Sequence, residues 1–509
     1  MLSKINSIVL HGLEGYLVEV QSDVAAGMPY WEVVGLPDLR VKEAKERVRA
    51  AIKNSGLLFP SRRIILNLAP ADLRKEGTYF DLPIAISLLV NFGYVKKVAK
   101  DLAFIGELSL DGKVNSVNGI LAICIEAKKL GIKKIIVPKE NAKEGAIVSG
   151  IDVIGVENLS QTINFLNDNV VIEPETVDLQ QMFYDDFISD VDFADIKGQS
   201  SVKRALEIAA AGGHNCLMIG PPGSGKTMLA KGFASILPEL SFDEALEVTK
   251  IHSIIGKLPK DKPLMMKRPF RFPHHTISIP ALIGGGKIPK PGEISLANHG
   301  VLFLDELPEF NKSTLETLRG PLEDREVFIS RLNSVVTYPC NFMLIAAMNP
   351  CPCGNYGSEE TCVCTRGSIE KYMSKISGPL LDRIDIQIEV NKVKYQEIKK
   401  DTKREKSEVI RERVNKARKI QLERYSNSSI YSNSEMTPSL IEKYCKLDER
   451  SENLLKGAFE KLKLSARAYN KILKVARTMA DLRDSKNIEY EDLAEAIQYR
   501  SLDRKYWKN

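Results

Sequence analysis

Apolar residues in the first 165 positions alternate between short strand-like runs and helical spacing. From 41 to 55 they recur three or four positions apart, which predicts an amphipathic helix, and a second apolar helix follows 75–85. The strand-like runs, bounded by glycine, proline or polar residues, occupy 15–20, 31–36, 63–68, 106–114 and 131–138. The pattern predicts a mixed α/β domain over residues 1–165.

The second half of the chain contains continuous apolar runs of the kind found in buried parallel strands. Such runs occupy 217–220, 301–304 and 341–348, and an amphipathic helix is predicted over 202–211. Beyond residue 390 the spacing is helical, with a polar loop at 426–434. The pattern predicts an α/β domain over 193–390 and a helical lid domain over 391–509.

The distribution of charged residues differs between these regions of the chain. Residues 171–196 hold eight acidic and no basic side chains, which predicts an exposed acidic linker over 166–192. Residues 392–424 hold thirteen Lys or Arg against six Asp or Glu, which fits either a solvated helix or a nucleic-acid-binding face. The whole chain has 509 residues and a net charge of +6, which indicates no particular partner.

The chain has no apolar run of about 18 residues, so no transmembrane helix or membrane partner is expected. The N-terminal segment lacks the apolar stretch of a secretory signal. We therefore expect a cytoplasmic protein whose eight cysteines are reduced.

A glycine-rich turn links the predicted strand at 217–220 to a helix that begins near Met228. It matches the P-loop pattern G-x-x-x-x-G-K-[ST] in the required strand–loop–helix context. Its residues are Gly220, Pro221, Pro222, Gly223, Ser224, Gly225, Lys226 and Thr227. The backbone N–H groups of such a loop bind phosphates, the lysine reaches the β- and γ-phosphates, and the threonine hydroxyl coordinates Mg²⁺. The motif predicts binding of ATP or GTP with Mg²⁺.

Five further residues have the positions expected around such a nucleotide. Asp305 and Glu306 end the strand at 301–304 as a Walker B element, so Asp305 is predicted to hold Mg²⁺ and Glu306 to polarise the attacking water. Asn349 ends the next strand and is predicted to orient that water. Arg383 is a candidate arginine finger for a neighbouring subunit, and Arg467 a candidate second sensor on the lid.

Cysteines form a C-x-C-x8-C-x-C cluster directly after Asn349, at Cys351, Cys353, Cys362 and Cys364. Four thiolates at this spacing form a candidate tetrahedral Zn²⁺ site. The alternative is a surface loop with four reduced thiols.

The order of these elements is that of an AAA+ ATPase, and the sequence between them resembles a particular family. Residues 268–276, 284–286, 291–297 and 307–310 resemble magnesium-chelatase-like AAA+ ATPases of the YifB/ComM type. The resemblance covers nearly the whole chain. It implies an α/β fold with a C-terminal helical lid, a ring that is expected to be a homohexamer, and for ComM-type members an action on branched DNA.

The order of segments in residues 1–165 resembles the proteolytic domain of Lon-type proteases. By that resemblance Tyr79 lies at the serine position and Leu121 at the lysine position. Neither side chain can replace a serine–lysine dyad, so we expect a Lon-protease-like domain of the magnesium-chelatase (ChlI) type without peptidase activity.

In related motors the segment corresponding to 268–299 carries a loop into the central pore of the ring. The glycines at 284–286 would form a hairpin whose Lys287 and Lys290 contact DNA phosphates, with His275 bonding a strand or holding the insert. A purely structural hairpin is the alternative. Two readings of function follow: a helicase or translocase acting on single-stranded or branched DNA, as in recombination, or a protein-remodelling or metal-chelatase-type ATPase.

Overall fold

The computed structural model describes residues 2–96, 98–178, 191–259, 262–286, 289–331, 334–357, 360–393, 404–426, 428 and 430–507. It divides into two compact units. The first contains Met1–Asp186 and Ala245–Met266, and the second contains Phe187–Glu244 and Lys267–Asn509. The second unit thus holds the predicted lid and the predicted ATPase region except residues 245–266, which belong to the first unit. Acidic residues of the predicted linker between 179 and 190, and Lys287, lie outside the described residues.

Strands in the described part of the first unit form a seven-stranded mixed sheet, in the order β3-β4-β2-β1-β5-β8-β9, and a small hairpin, β6-β7. β1 pairs antiparallel with β2, and β2 pairs antiparallel with β4. The strands are β1 (Leu2–His11), β2 (Glu14–Ala25), β3 (Tyr30–Val34), β4 (Arg63–Ala69), β5 (Leu102–Phe104), β6 (Glu107–Leu108), β7 (Val114–Asn115), β8 (Lys134–Pro138) and β9 (Asp152–Val156).

Helices cover the apolar faces of this sheet. The α-helices are Leu39–Asn54, Asp81–Asn91, Ile120–Lys129, Ala142–Gly145, Leu159–Leu166 and most of Phe242–Ile254, and Lys139–Asn141 is a 3₁₀ turn. In the helix Leu39–Asn54 the buried residues are Val41, Ala44, Val48, Ala51 and Ile52, which confirms the helical spacing read from the sequence. Leu121 is fully buried, and burial raises the pKa of Tyr79. The likeness of this unit to a Lon-type domain stays a prediction.

Five strands in the described part of the second unit form a parallel sheet in the order β11-β14-β17-β10-β18. Two hairpins, β12-β13 and β15-β16, lie outside it. The strands are β10 (Cys216–Ile219), β11 (Phe270–Arg271), β12 (Gly284–Gly285), β13 (Lys290–Pro291), β14 (Val301–Leu304), β15 (Glu326–Arg331), β16 (Ser334–Pro339), β17 (Met343–Met348) and β18 (Ile386–Glu389). β10, β14 and β17 are buried throughout, as their continuous apolar sequences predicted.

The α-helices of this unit pack on the sheet and form the lid. They are Ser200–Gly212, Lys226–Phe233, Ile279–Ile283, Glu293–Leu296, Lys312–Glu316, Pro321–Asp324, Arg366–Met373, Gly378–Leu381, Ser407–Arg424, Pro438–Tyr444, Glu449–Leu462, Ala466–Leu482, Tyr490–Gln498 and Leu502–Tyr506, with the start of Phe242–Ile254. The 3₁₀ turns are Phe193–Asp195, Ala234–Ile236, Leu307–Glu309 and Asn433–Glu435. One apolar core joins the lid to the sheet.

A membrane-crossing helix would need a long apolar stretch, and none of the described helices has one.

Candidate nucleotide-binding site

The P-loop leaves the carboxyl end of β10, the strand between β17 and β18. A Cβ atom on Gly220 would lie 2.1 Å from the carbonyl oxygen of Val390, so this close approach requires glycine. Gly223 and Gly225 have φ angles of 74° and 88°, in the left-handed region that glycine adopts without strain. The loop therefore turns sharply and directs the N-terminus of the helix Lys226–Phe233 into the site.

Lys226 is held at the bottom of this loop. Its Nζ donates hydrogen bonds to the carbonyls of Gly220 at 2.7 Å and Pro221 at 2.9 Å, and to Oδ1 of Asn349 at 3.1 Å. Burial lowers the pKa of Lys226, and the charges of Asp305 and Glu306 oppose that shift. The structure thus brings together the predicted lysine, both Walker B carboxylates and the amide of the next strand.

Thr227 and Asp305 supply the oxygen ligands that Mg²⁺ prefers. The Thr227 hydroxyl donates to Oδ2 of Asp305 at 2.7 Å. Asp305 is further oriented through Oδ1, which accepts the backbone N–H of Glu306 at 2.9 Å. A Mg²⁺ ion bound by the hydroxyl would lie beside the P-loop, where it would neutralise phosphate charge.

Glu306 has a left-handed backbone, with a φ angle of 52°, and its side chain is 59% exposed. Its Oε2 lies 3.7 Å from Nδ1 of His275, whose ring centroid lies 4.1 Å from that of His274 with the two rings tilted by 34°. The sequence predicts that His275 bonds a DNA strand or holds the insert, and it does not predict this contact with the carboxylate of Glu306. No motif spacing indicates that these two residues meet.

A cavity of about 440 Å³ joins these groups and has room for a triphosphate. It is lined by Pro222, Gly223, Ser224, Gly225, Lys226, Thr227, Met228, Asp305, Glu306, Met348 and Asn349. Ser224 Oγ is buried and has no hydrogen-bond partner among the described residues, which suits an atom that meets a phosphate oxygen. The residues present therefore fit a nucleotide with Mg²⁺.

The two predicted arginines lie together in a different cavity, of about 450 Å³. Arg383 donates to the carbonyls of Arg319 and Pro379, each at 2.8 Å, and to the carboxylate of Glu323. Arg467 lies 3.7 Å from the same carboxylate and is 60% exposed. Neither arginine lines the P-loop cavity of its own chain.

Behind these arginines a buried ion pair fixes the lid helix Ala466–Leu482. Lys471 Nζ lies 2.7 Å from Oδ1 of Asp385, and Oδ2 of Asp385 lies 3.4 Å from Nδ1 of His214. Burial alone would raise the pKa of Asp385, but the charges of Lys471 and His214 and their hydrogen bonds together outweigh it and hold this pKa well below its usual range. The pair ties the helix that begins beside Arg467 to the loop that carries Arg383.

The predicted hairpin is present as β12 and β13, and Lys290 is exposed on it. A Cβ on Gly284 would lie 2.5 Å from the carbonyl oxygen of Lys290, so the two strands meet closely there. The second hairpin, β15-β16, was not predicted. On its outward face, Phe328 is 62% exposed and Val335 is 63% exposed.

The four cysteines of the C-x-C-x8-C-x-C motif converge. Their sulfur atoms all lie within 4.8 Å of one another, and Cys351 is fully buried. Backbone hydrogen bonds from Asn355 and Val363 lower the pKa of Cys353 to about 6. Cys124, Cys216, Cys340 and Cys445 are buried elsewhere.

Three family models match the chain. Residues 20–141 match subunit ChlI of Mg-chelatase, residues 192–398 match magnesium chelatase, subunit ChlI, and residues 404–500 match magnesium chelatase, subunit ChlI C-terminal. Together these matches extend over the N-terminal region, the P-loop region and the lid.

Individual relatives resemble the chain over nearly its full length. It is 42% identical to competence protein ComM of Haemophilus influenzae over 497 residues, covering 97% of this chain and 96% of that protein. It is 41% identical to the uncharacterized protein YifB of Escherichia coli over 506 residues, covering 99% and 98%. A shorter match, 31% over 157 residues, covers 30% of this chain and 33% of the DNA repair protein RadA of Bacillus subtilis. The chain belongs to the magnesium-chelatase-like family that includes ComM and YifB.

Proposed function

We propose that the chain is the subunit of a ring-shaped, ATP-driven motor, a homohexamer, that acts on single-stranded or branched DNA. Family membership itself indicates ATPase activity with ATP and Mg²⁺. The ring and its DNA substrate go beyond what family membership indicates, and they are what we propose here.

The proposal of a ring is supported by one observation: the two predicted arginines lie apart from the P-loop of their own chain. Arg383 and Arg467 converge on Glu323, outside the cavity that Lys226 and Asp305 line. A γ-phosphate bound in that cavity lacks the guanidinium that AAA+ hydrolysis uses, unless another subunit supplies it. A head-to-tail ring places one subunit's arginine cavity against the next subunit's P-loop, and it needs only a single kind of interface.

The residues needed for hydrolysis then come from two neighbouring chains. In one chain Lys226 binds the β- and γ-phosphates, Thr227 and Asp305 hold Mg²⁺, and Glu306 with Asn349 orients the attacking water. In the neighbouring chain Arg383, with Arg467 beside it, stabilises the charge that develops on the transferred phosphoryl group. Loss of the γ-phosphate removes the contact between the two chains, which changes the position of the lid.

DNA is favoured over a protein substrate by two lines of support. One relative, ComM, is named a competence protein, and another, RadA, is named a DNA repair protein. The exposed Lys290 on β13 supplies a positive charge for phosphate contacts at a hairpin. Lys287 lies outside the described residues, and we assign it the same role from the sequence alone.

The test compares ATP turnover with single-stranded, duplex and forked DNA at several salt concentrations. We expect forked or single-stranded DNA to stimulate turnover by about tenfold or more, with stimulation falling as salt rises because phosphate contacts release counterions. The Glu306→Gln variant should keep ATP binding and lose turnover by about 10²-fold or more, since the general base is gone.

Turnover that no DNA stimulates, but that a protein partner does, would refute the DNA motor. It would favour the protein-remodelling or chelatase-type alternative. Loss of ATP binding in Glu306→Gln would show misfolding of the variant, and Lys312→Ala on the short helix Lys312–Glu316 is the matched surface control.

A further inference from the structure

The four sulfur atoms after β17 have the spacing of ligands around one tetrahedral ion. Cys351 Sγ lies 3.4 Å from Cys353 Sγ and 3.7 Å from Cys362 Sγ, and Cys353 Sγ lies 3.6 Å from Cys362 Sγ. Zn²⁺ with Zn–S bonds of about 2.3 Å and tetrahedral angles places its sulfur ligands about 3.8 Å apart. A disulfide would need about 2.05 Å, and all four cysteines are free.

Backbone N–H groups also point at these sulfurs. The N–H of Tyr356 donates to Cys351 Sγ at 3.4 Å, and the N–H of Cys353 donates to Cys364 Sγ at 3.4 Å. Such donors stabilise the thiolate form that a metal needs. Gly354 and Gly357 have φ angles of 87° and 75°, and these left-handed turns fold the loop back on itself between the cysteine pairs.

The loop that carries the cysteines rests on the P-loop. A Cβ built on Gly354 would lie 2.3 Å from Cδ of Pro222, so the backbone at Gly354 is in direct contact with that prolyl ring. The same loop contributes Tyr356 and Gly357 to the wall of a cavity of about 470 Å³ whose other wall includes Gly220 and Pro221. No helix or strand occupies the described part of residues 349–365, so local secondary structure does not fix this wall.

We propose that Cys351, Cys353, Cys362 and Cys364 hold one Zn²⁺ ion and that the ion clamps their loop against the P-loop, so that nucleotide affinity depends on zinc. The ion replaces the hydrophobic core that a short irregular segment cannot build. With the metal bound, Gly354 limits the positions open to Pro222. Without it, the loop and the P-loop lose that contact. The clamp rests on nucleotide binding at the P-loop and is independent of DNA.

Metal content tests the ion itself. The purified full chain and a Cys445→Ala control should contain about one zinc per chain by elemental analysis, whereas the Cys353→Ala/Cys364→Ala variant should contain almost none. Cobalt taken up in place of zinc should give the intense visible absorption of a tetrahedral thiolate site. A chain that holds neither metal after expression with added zinc would overturn the proposal.

The clamp is tested by titrating a fluorescent, non-hydrolysable ATP analogue in excess Mg²⁺ and without DNA. Removing zinc with a selective chelator should weaken binding by about tenfold, and adding zinc back should restore it. Unchanged affinity in the zinc-free protein would refute the clamp even if the ion is present. These measurements need no DNA stimulation, so they stand or fall separately from the proposed motor.

Two glycine variants separate the contact from the metal. Gly354→Ala places a methyl group against Pro222, so it should keep its zinc and bind the analogue about tenfold more weakly. Gly357→Ala carries the same kind of left-handed strain, but its nearest atom, at 3.9 Å, is the tip of Lys505. It should keep both zinc and affinity, within about twofold. Equal losses in the two variants would point to backbone strain and against the contact with Pro222.

Discussion

Two inactive variants, mixed, should recover ATP hydrolysis if the arginines serve a neighbouring chain. Lys226→Ala removes the phosphate-binding lysine, which contacts Gly220, Pro221 and Asn349 in its own chain. Arg383→Ala leaves that P-loop intact and removes the guanidinium bound to Glu323. Each variant alone should hydrolyse ATP at about one thousandth of the parent rate or less, because an arginine finger contributes about 10³–10⁵.

The size of the recovery follows from counting interfaces. In rings assembled at random from equal amounts, about half of the sites have an intact P-loop, and about half of those meet an intact arginine. The mixture should therefore hydrolyse ATP at about one quarter of the parent rate per chain, about 250-fold or more above either variant. Equilibrating the variants without nucleotide, and then adding ATP and Mg²⁺, gives the measurement.

Controls decide what a negative result means. The double variant Lys226→Ala/Arg383→Ala mixed with Lys226→Ala contains no intact P-loop and should stay inactive. Size-exclusion chromatography of each mixture establishes that rings form. If rings form and the first mixture is no faster than its components, Arg383 does not act across an interface. The same pairing with Arg467→Ala tests the second arginine.

Three further variants test other contacts. A Lys287→Ala/Lys290→Ala protein should bind DNA more weakly and show a binding-versus-salt slope smaller by about two, measured by fluorescence anisotropy, while basal ATP turnover stays unchanged. His275→Ala should reduce the DNA stimulation of turnover by about fivefold or more, because it loses the contact with Glu306. His274→Ala, whose ring bonds Thr276 instead, is its control. Asp385→Asn should lower the stability of the second unit by about 3 kcal/mol at pH 7, because Lys471 is left charged without its partner. The pKa of Asp385 is depressed in the folded chain, so the difference in unfolding free energy between parent and variant should be constant above about pH 5 and shrink as the pH falls below about 4. Thermal unfolding at several pH values measures this difference.

The sequence was sufficient for the centre of the site because its residues follow directly from local patterns. A P-loop must follow a strand, and acidic or amide residues at the ends of neighbouring parallel strands must meet at one edge of the sheet. Thr227, Asp305 and Asn349 meet around the P-loop lysine for that reason. The four cysteines likewise converge because only eight residues, two of them glycines, separate the pairs.

Contacts between distant segments could not be predicted. His275 and Glu306 meet because β11 and β14 are adjacent in the sheet, and no spacing in the sequence states that adjacency. The ion pair of Lys471 with Asp385 depends on how the lid packs on the sheet. The proximity of Arg383 and Arg467 depends on the same packing. Sequence motifs therefore identified the two arginines as candidates but did not predict that they lie in one cavity.

The hairpin β15-β16 and the strand β1 were missed for a different reason. In β15-β16 the inward residues Val327, Ile329, Val336 and Tyr338 alternate as a hairpin requires, but the outward Phe328 and Val335 are also apolar and hide the alternation. In β1 the buried face includes Ser7, whose hydroxyl donates to the carbonyl of Phe104 at 3.0 Å. A buried serine counts as polar in the sequence even when its hydroxyl has a hydrogen-bond partner. It therefore interrupts the apolar alternation of β1 in the sequence, although the strand is continuous in the structure.

The segment between β11 and β14 carries two features that the proposed motor would use. Its base is closed by Arg271, which donates from Nη2 to Oε1 of Glu293 at 2.8 Å. Between these two residues the chain passes His275, which contacts Glu306, and then forms the β12-β13 hairpin. Because one segment carries both features, a ligand that shifts the hairpin would act on residues next to the carboxylate of Glu306. In the proposed motor, a DNA strand at the hairpin would in this way affect turnover at the P-loop, and the His275→Ala measurement tests that coupling.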